Sequence, residues 1–377
     1  MNEWLTRAEA LSALGIRAQT LYAYVSRGQV ARRADPADSR RSLYRGDDVV
    51  ALIAKRRRGR RPAAIAASAI AWGEPVIDTA ISTVVQGRLI YRGHDAAEWC
   101  EHATFEDSAR LLWDLPDRPV FPASGPPGDP FVALGELAGD MKPTVGRPAD
   151  KLAQDAVRAV ARLVTALGAG GEGPVHLRLA ALWRLDDAGA DLLRRALALL
   201  ADHELNPSTF AARVAASTGA SLPACLLAGM GALSGPRHGG AGNALAALAA
   251  EAERVGAGEA VDRWLASGQA PPGFGHTLYP SGDPRAAALL RRAAPGPRLA
   301  RLRDAVFEAT GRLPNIDFAL LVLSRKLGLP ARSPLRLFAV GRSIGWAAHA
   351  VEQALGGAVI RPRARYTGAP RPARVGP

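Results

Sequence analysis

Apolar residues return every three or four positions between Leu152 and Leu167, and again between Ala190 and Leu200. This is the spacing of one face of an α-helix. Alanine and leucine dominate and β-branched residues are sparse, which predicts a mainly α-helical chain from Thr104 onward. One earlier stretch breaks the pattern. In "GEPVIDTAISTVVQGRLIYRGHDAAEWC" β-branched residues are punctuated by glycine and predict short strands. "DLPDRPVFPASGPPGDP" is rich in proline and glycine and predicts a surface loop.

The N-terminal pattern is of shorter period. Thr6 is placed to cap a helix carrying Ala10, Leu11 and Leu14, and Gly15 supplies a tight turn. A second helix follows over Ala18 to Ser26, with Leu21 and Val25 facing inward. Then come a loop or wing, "RRADPADSRRSLYR", and a third helix from Asp47 to Ala54. Two short helices joined through such a turn form a helix-turn-helix pattern.

Charge sharpens this division. The chain of 377 residues carries +13, and residues 1–62 hold fourteen basic against six acidic side chains, or +8. The excess sits on the helix-turn-helix segment and on "KRRRGRR" just after it, which predicts a polyanion partner for residues 1–62. The whole chain is 48% hydrophobic and 22% charged, which excludes a globally disordered chain. No apolar run suits a bilayer span, and "MNEWLTRAEA" lacks a signal-peptide pattern, so a cytoplasmic protein is expected. Cys100 and Cys225 have neither metal-ligand nor redox spacing; they are expected as buried reduced thiols, with no metal.

Four segments carry candidate chemistry. In "LSGPRHGGAGNALAAL", His238 stands between a Gly-Pro break and a helix start, where free N–H groups favour a neutral imidazole. In "DHELNPSTFAARVAAST", His203 and Glu204 are expected to close a helix that Asn206–Pro207 breaks. In "PPGFGHTLYPSGDPRAAALL", Gly273 and Gly275 allow close approach of backbone to a ligand. Asp283 and Pro284 fit the cap and first position of a helix, and Arg285 falls in its first turn, where a cation is disfavoured unless it serves an anion. In "LPNIDFALLVLSRKLGLP", Asn315 is a cap and Asp317 lies in the first turn of a strongly apolar helix. Burial there would raise its basicity, as a general base requires.

These segments together resemble the citrate synthase family. "GRLIYRG", "DHELNPSTFAARVAAST", "GALSGPRHGGA", "PPGFGHTLYPSGDPRA", "LPNIDF", "FAVGRSIGWAAHAVEQ" and "RPRARYTG" occur in that family's order from Ile77 to Gly368. The stretch 121–200 matches least, and the interval between "GRLIYRG" and "DHELN" is short for the family, so one or more helices are expected to be missing. "TLYAYVSRG" and "SLYRGDDVVAL" resemble the MerR-type winged helix-turn-helix family.

The resemblance implies a mainly α-helical homodimer of citrate synthase-like fold, preceded by a small winged helix-turn-helix domain. Its parts would be 1–54, the DNA-binding domain; 55–69, a basic linker; 70–240 and 337–377, the large domain; and 241–336, the small domain. His238, His276 and Asp317 would be catalytic. His203, His276, Arg285, Arg342 and a partner-supplied Arg361 would hold oxaloacetate. Pro272, Gly273, Phe274 and Gly275 would lie against coenzyme A, which enters as a thioester substrate, with no permanently bound cofactor. Arg17, Gln19, Thr20, Tyr22 and Arg27 would face DNA, with Arg40 and Arg41 on its phosphates. The implied reaction condenses acetyl-CoA with oxaloacetate to citrate, with propionyl-CoA as an alternative substrate. The alternative function is a regulator that senses oxaloacetate, citrate or an acyl-CoA. A sensor needs the arginines but not Asp317, so Asp317, His238 and His276 together favour the enzyme. Thr277, Pro280 and Arg237 depart from the family pattern and bear on coenzyme A affinity and acceptor choice.

Overall fold

The computed structural model describes residues 4–14, 16, 18–26, 29–36, 38–59, 77–362, 364, 367 and 368. The chain divides into two units, residues 1–78 with 361–377, and residues 79–360.

The first unit runs β1 (Trp4–Thr6), α1 (Arg7–Leu14), α2 (Ala18–Ser26), β2 (Arg32–Asp35), β3 (Asp38–Arg45) and α3 (Gly46–Gly59). Thr6 and Glu9 cap α1 reciprocally: the Glu9 carboxylate accepts from the Thr6 N–H at 2.7 Å, and the Thr6 hydroxyl accepts from the Glu9 N–H at 3.4 Å. The strands form an antiparallel sheet of order β1-β3-β2, with Leu5 opposite Tyr44. Leu5, Ala10, Leu14, Leu21, Val30, Tyr44, Val49 and Leu52 make its core. Strand β1 carries no sequence signal at three residues, and α3 runs to Gly59, past the expected end at Ala54. Thr20, Tyr22 and Arg41 are exposed, and Arg41 pairs with Asp38 at 3.2 Å. Arg17 and Arg27 lie outside the described residues, as do the side chains of Gln19 and Arg40.

The second unit opens with a meander, β4 (Ser82–Val85), β5 (Arg88–Tyr91) and β6 (His94–Asp95). Gln86 and Gly87, both at positive φ, make its first two-residue turn. Helices follow: α4 (Ala96–Trp99), α5 (Phe105–Leu112), α6 (Pro130–Asp140), α7 (Ala149–Ala166), α8 (Val175–Leu182), α9 (Asp187–Leu200), α10 (Pro207–Ser217), α11 (Leu222–Leu233), α12 (Ala241–Val255), α13 (Ala257–Ala266), α14 (Pro284–Arg292), α15 (Pro297–Thr310), α16 (Ile316–Lys326) and α17 (Ser333–Gly356). Helix α17 is the axis of the main core and packs on α5, α7, α9, α10, α11 and α16. Gly341 lets the end of α9 approach it: a Cβ there would stand 2.6 Å from that of Leu200.

A second, smaller core gathers Leu245, Leu248, Ala260, Val261, Phe274, Leu302, Phe318 and Val322 from α12, α13, α15, α16 and the loop before α14. One expectation is corrected at the junction after α9. Asn206–Pro207 does not break a helix that His203 and Glu204 close. Helix α9 has already ended at Leu200, and Asn206 caps α10 by accepting from the Ser208 and Thr209 N–H groups. An Asn-Pro pair serves as helix start as readily as helix stop, because proline suits the first helical turn.

Candidate active site

Six of the anticipated residues meet in the second unit, each brought by a different piece of backbone. His203 lies between α9 and α10, and His238 in the turn between α11 and α12. His276 follows the Gly-rich turn before α14. Arg285 and Asp317 occupy the first turns of α14 and α16, and Arg342 sits mid-way along α17. Arg361 belongs to the other unit and is exposed.

The two arginines are buried, at 2% and 1% exposure for Arg285 and Arg342, which rules out solvated surface charges. Arg285 donates from Nε and Nη2 to the two oxygens of Asp283, at 3.0 and 2.8 Å, leaving Nη1 without a hydrogen bond among the described residues. Burial opposes its charge, but the Asp283 carboxylate more than offsets this and raises the guanidinium pKa. Arg342 donates from Nε to the Leu200 carbonyl at 2.9 Å and lies over the Phe338 ring at 5.1 Å. Its buried Nη2 has no hydrogen-bond partner among the described residues. Burial, with Arg285 nearby, pulls its pKa down to about 10. A buried guanidinium with an unspent N–H is a strong donor to a carboxylate ligand.

The histidines are held neutral. Burial, then the charges of Arg342 and Arg285, lower His238 to about 4; burial, then Arg285, do the same for His276. Burial drives His203 well below its ordinary value. His276 Nδ1 accepts the Leu278 N–H at 3.2 Å, so the neutral ring carries its proton on Nε2. His238 Nε2 lies 2.9 Å from the Ser208 hydroxyl, which accepts from the Trp346 indole at 3.1 Å and lies 2.7 Å from Asn206 Oδ1. His203 stands edge-on to His276, with ring centroids 5.0 Å apart.

Asp317 is positioned by its cap, since its N–H donates to the Asn315 side chain at 3.0 Å. Its carboxylate accepts no hydrogen bond among the described residues. Burial pushes it up to about 6, with the Arg285 and Arg342 charges tempering the rise. The Gly-rich turn is zipped to the segment before α16. The Gly275 N–H donates to the Leu313 carbonyl at 2.8 Å, the Asn315 N–H to Gly273 at 2.9 Å, and the Asn315 side chain to Gly275 at 3.2 Å. Gly273 has φ of 83°, and a Cβ there would meet Leu245 at 2.7 Å. The ring of Phe274 is 4.9 Å from that of Phe318 within the second core. A ligand along Pro272 to Gly275 therefore meets the backbone of Phe274, not its ring. Beside this turn lies a cavity of about 360 Å³, lined by His276, Thr277, Pro280, Arg312 and neighbours.

Several contributors carried no sequence signal of their own: Ser208 against His238, Tyr279 against His203, and Asp202. The Asp202 carboxylate accepts from the Ser82 hydroxyl at 2.5 Å and lies 3.2 Å from His349 Nε2, anchoring the backbone next to His203. Asp202, His203 and Ser208 share one quoted segment, yet beyond the neighbouring Asn206 the contacts that place their side chains in the site are long-range: Asp202 to His349 across 147 residues, His203 to Tyr279 across 76 and Ser208 to His238 across 30. Cys100 and Cys225 are buried free thiols, and no cluster among the described residues has the make-up of a metal site.

The family model for the citrate synthase C-terminal domain matches residues 70–119 and 149–363, more than half of the chain. Citrate synthase 2 of Bacillus subtilis is 37% identical over 189 residues, covering 47% of this chain and 51% of that one. The chain thus spans about half the length of the first curated relatives it matches. The 2-methylcitrate synthase of Shewanella oneidensis is 29% identical over 353 residues, covering 78% of this chain and 93% of its own. Among solved structures, citrate synthase from Thermotoga maritima superposes with a TM-score of 0.62 at 26% identity, covering 79% of this chain and 94% of that one. The helical fold, the ordered segments and the family match lead to one conclusion: this chain belongs to the citrate synthase family.

Proposed function

We propose that the chain condenses oxaloacetate with the acyl group of acetyl-CoA to give citrate and coenzyme A. One observation carries this reading. An aspartate that accepts no hydrogen bond among the described residues, raised to about 6, lies within range of two buried guanidinium groups whose charges also help to keep the neighbouring imidazoles neutral. A carbon acid next to a thioester needs a base of this kind, and a dicarboxylate needs the cations.

Asp317 takes a methyl proton from acetyl-CoA. The thioester oxygen becomes an enolate oxygen, which accepts a hydrogen bond from His238. The Ser208 hydroxyl lies 2.7 Å from Asn206 Oδ1 and 2.9 Å from His238 Nε2. Asn206 Oδ1 also receives two backbone N–H groups, so in this reading the Ser208 proton turns to His238 Nε2 when the enolate forms, and the ring proton sits on Nδ1 for that role. The enolate carbon attacks the ketone carbon of oxaloacetate, and the ketone oxygen receives its proton from His276 Nε2. Water then cleaves the citryl thioester and releases the thiol. Arg285 Nη1 and Arg342 Nη2 hold the carboxylates with His203. One such donor to a developing oxyanion is worth roughly 3–4 kcal/mol. Backbone at Pro272 to Gly275 lies along the thioester arm, with Arg312 replacing the missing cations at Thr277 and Pro280.

The acyl group has a second candidate. The Shewanella 2-methylcitrate synthase matches most of this chain, which supports propionyl-CoA as an alternative. Thiol release with oxaloacetate and each thioester separates them. Oxaloacetate binding without thiol release from either would make the chain a sensor.

Two further parts of this reading concern partners. The homodimer is supported by apolar residues that the second unit leaves open: Phe131 and Val132 of α6 are exposed, and Leu227 and Ala228 of α11 are half-buried. Arg361 would enter the site of the neighbouring copy. Mixing Arg361→Ala with Asp317→Asn protein restores partial activity if sites are shared. Residues 1–62 would bind duplex DNA through Thr20, Tyr22, Arg41, Arg17, Gln19, Arg27 and Arg40. Binding should fall with salt by a log–log slope of about −0.9 per neutralised phosphate. No binding at low salt would count against it.

A further inference from the structure

Tyr279 touches three of the groups assigned to the acceptor, and the proposed chemistry gives it nothing to do. Its backbone is pinned at both ends: its N–H donates to the His276 carbonyl at 3.0 Å, and its own carbonyl accepts from Gly282 at 3.0 Å. Its side chain is 2% exposed. The ring lies 4.9 Å from that of His276, tilted by 36°, and 5.6 Å from that of His203. The Arg285 guanidinium stands 5.5 Å over it. The phenol oxygen is 2.9 Å from His203 Nε2.

That last contact has a definite sense. A buried phenol has one proton, and buried donors are satisfied almost without exception. Among the described residues the Tyr279 hydroxyl has no partner but His203 Nε2. The phenol therefore donates and Nε2 accepts. The neutral ring then carries its proton on Nδ1, which makes no hydrogen bond among the described residues and is left for a ligand. The reverse tautomer would strand the phenol proton and turn a lone pair towards an anion.

We infer that Tyr279 is a positioning residue for the dicarboxylate acceptor: its hydroxyl fixes the tautomer of His203 so that Nδ1–H serves the ligand, while its ring holds His203, His276 and Arg285 as one cluster. The assignment rests on the oxaloacetate reading above for its ligand, but not for its tautomer.

Two measurements on the full chain test it. Nitrogen-15 spectra of histidine-labelled protein, with His203 identified by substitution, should show His203 protonated on Nδ1 without ligand, and Tyr279→Phe should weaken that form in favour of Nε2. Kinetically, Tyr279→Phe should raise the oxaloacetate KM about tenfold, the loss of one hydrogen bond to a charged ligand. Its kcat and acetyl-CoA KM should move far less. Tyr279→Leu, which also removes the ring, should weaken oxaloacetate further. A purely structural tyrosine would lower thermal stability without this split between KM and kcat. His203 found on its Nε2 tautomer in the parent protein would overturn the inference, as would unchanged oxaloacetate affinity in both variants. If the parent protein neither released thiol nor bound oxaloacetate, the proposed reaction would fail, and the His203 tautomer would still decide the role of Tyr279.

Discussion

Two aspartates sit at the starts of packed neighbouring helices, Asp283 ahead of α14 and Asp317 in the first turn of α16. Both are placed by a short local signal, a capping residue before an apolar run. Their surroundings differ. The Asp283 carboxylate accepts from the Arg285 N–H, from its guanidinium twice, and from the Ile316 N–H at 3.0 Å. Burial alone would raise it, but the Arg285 charge and these donors hold it below the usual carboxylate range. The Asp317 carboxylate receives no donor among the described residues, and burial takes it up to about 6. Covering a carboxylate does not make it a base; covering it while withholding donors does. Asp283 also ties the start of α14 to the start of α16, so the carboxylate that stays charged steadies the one that titrates.

The strongest way to break this contrast is Asp317→Asn. It should reduce kcat by about 10²–10⁴, the range for a positioned general base. In the parent protein kcat/KM should climb with pH through about 6 and level off above it, because the base works ionised. Stability should move the other way. The folded pKa lies above the ordinary 3.8, so between these values the folded state binds more protons than the unfolded one, and stability falls as pH rises through about 6. Asp317→Asn should therefore stabilise the protein at pH 7 by at most ~3 kcal/mol, with the gain gone below pH 4. Denaturation curves at the two pH values check this. A variant that is inactive and less stable at pH 7 would mean that the carboxylate is held by contacts and is not a strained base.

How much of this was open to sequence reading follows from the range of the interactions. Asn315 capping Asp317 and Asp283 capping α14 act over two residues, and the motif order announces both. The helical periods of α7 and α9 are equally local. What remained hidden is long-range. Arg342 meets a carbonyl 142 residues earlier, Tyr279 meets His203 across 76, and Ser208 meets His238 across 30. Tertiary packing decides these, that of α17 on α9 for Arg342 and that of the loop before α14 and the turn between α11 and α12 for the other two, and no spacing in the chain encodes it. The Asn206–Pro207 pair shows a different limit, since its local signal is real but serves both ends of a helix.

Asp283→Asn sharpens the comparison from the other side. Removing one partner of a buried ion pair strands the other, at about 3–5 kcal/mol. The loss should appear as a lower Tm at every pH where Asp283 is ionised, and the oxaloacetate KM should rise because Arg285 is no longer oriented. Asp283→Glu, which keeps the charge, should recover part of both. Unchanged stability in Asp283→Asn would mean that Arg285 finds another acceptor and that the pair does not set the cleft.

The smallest effect is expected where the cleft opens to solvent. Arg312 lines the cavity beside His276, with its Cδ placed 3.4 Å from where a Cβ on Gly275 would stand, and Thr277 and Pro280 on the same wall offer no charge. An anionic thioester ligand following the Gly-rich turn would pass this guanidinium. The side chain is exposed, so its attraction is screened and worth about 1 kcal/mol. Arg312→Ala should raise the acetyl-CoA KM about fivefold at low salt and less at high salt, leaving kcat and the oxaloacetate KM alone. Arg312→Lys should keep most of the affinity, since a point charge suffices for a phosphate. Equal loss towards both substrates would place Arg312 in the framework of the Gly275 turn, and no loss in either would leave the thioester's anionic end to residues outside this cavity.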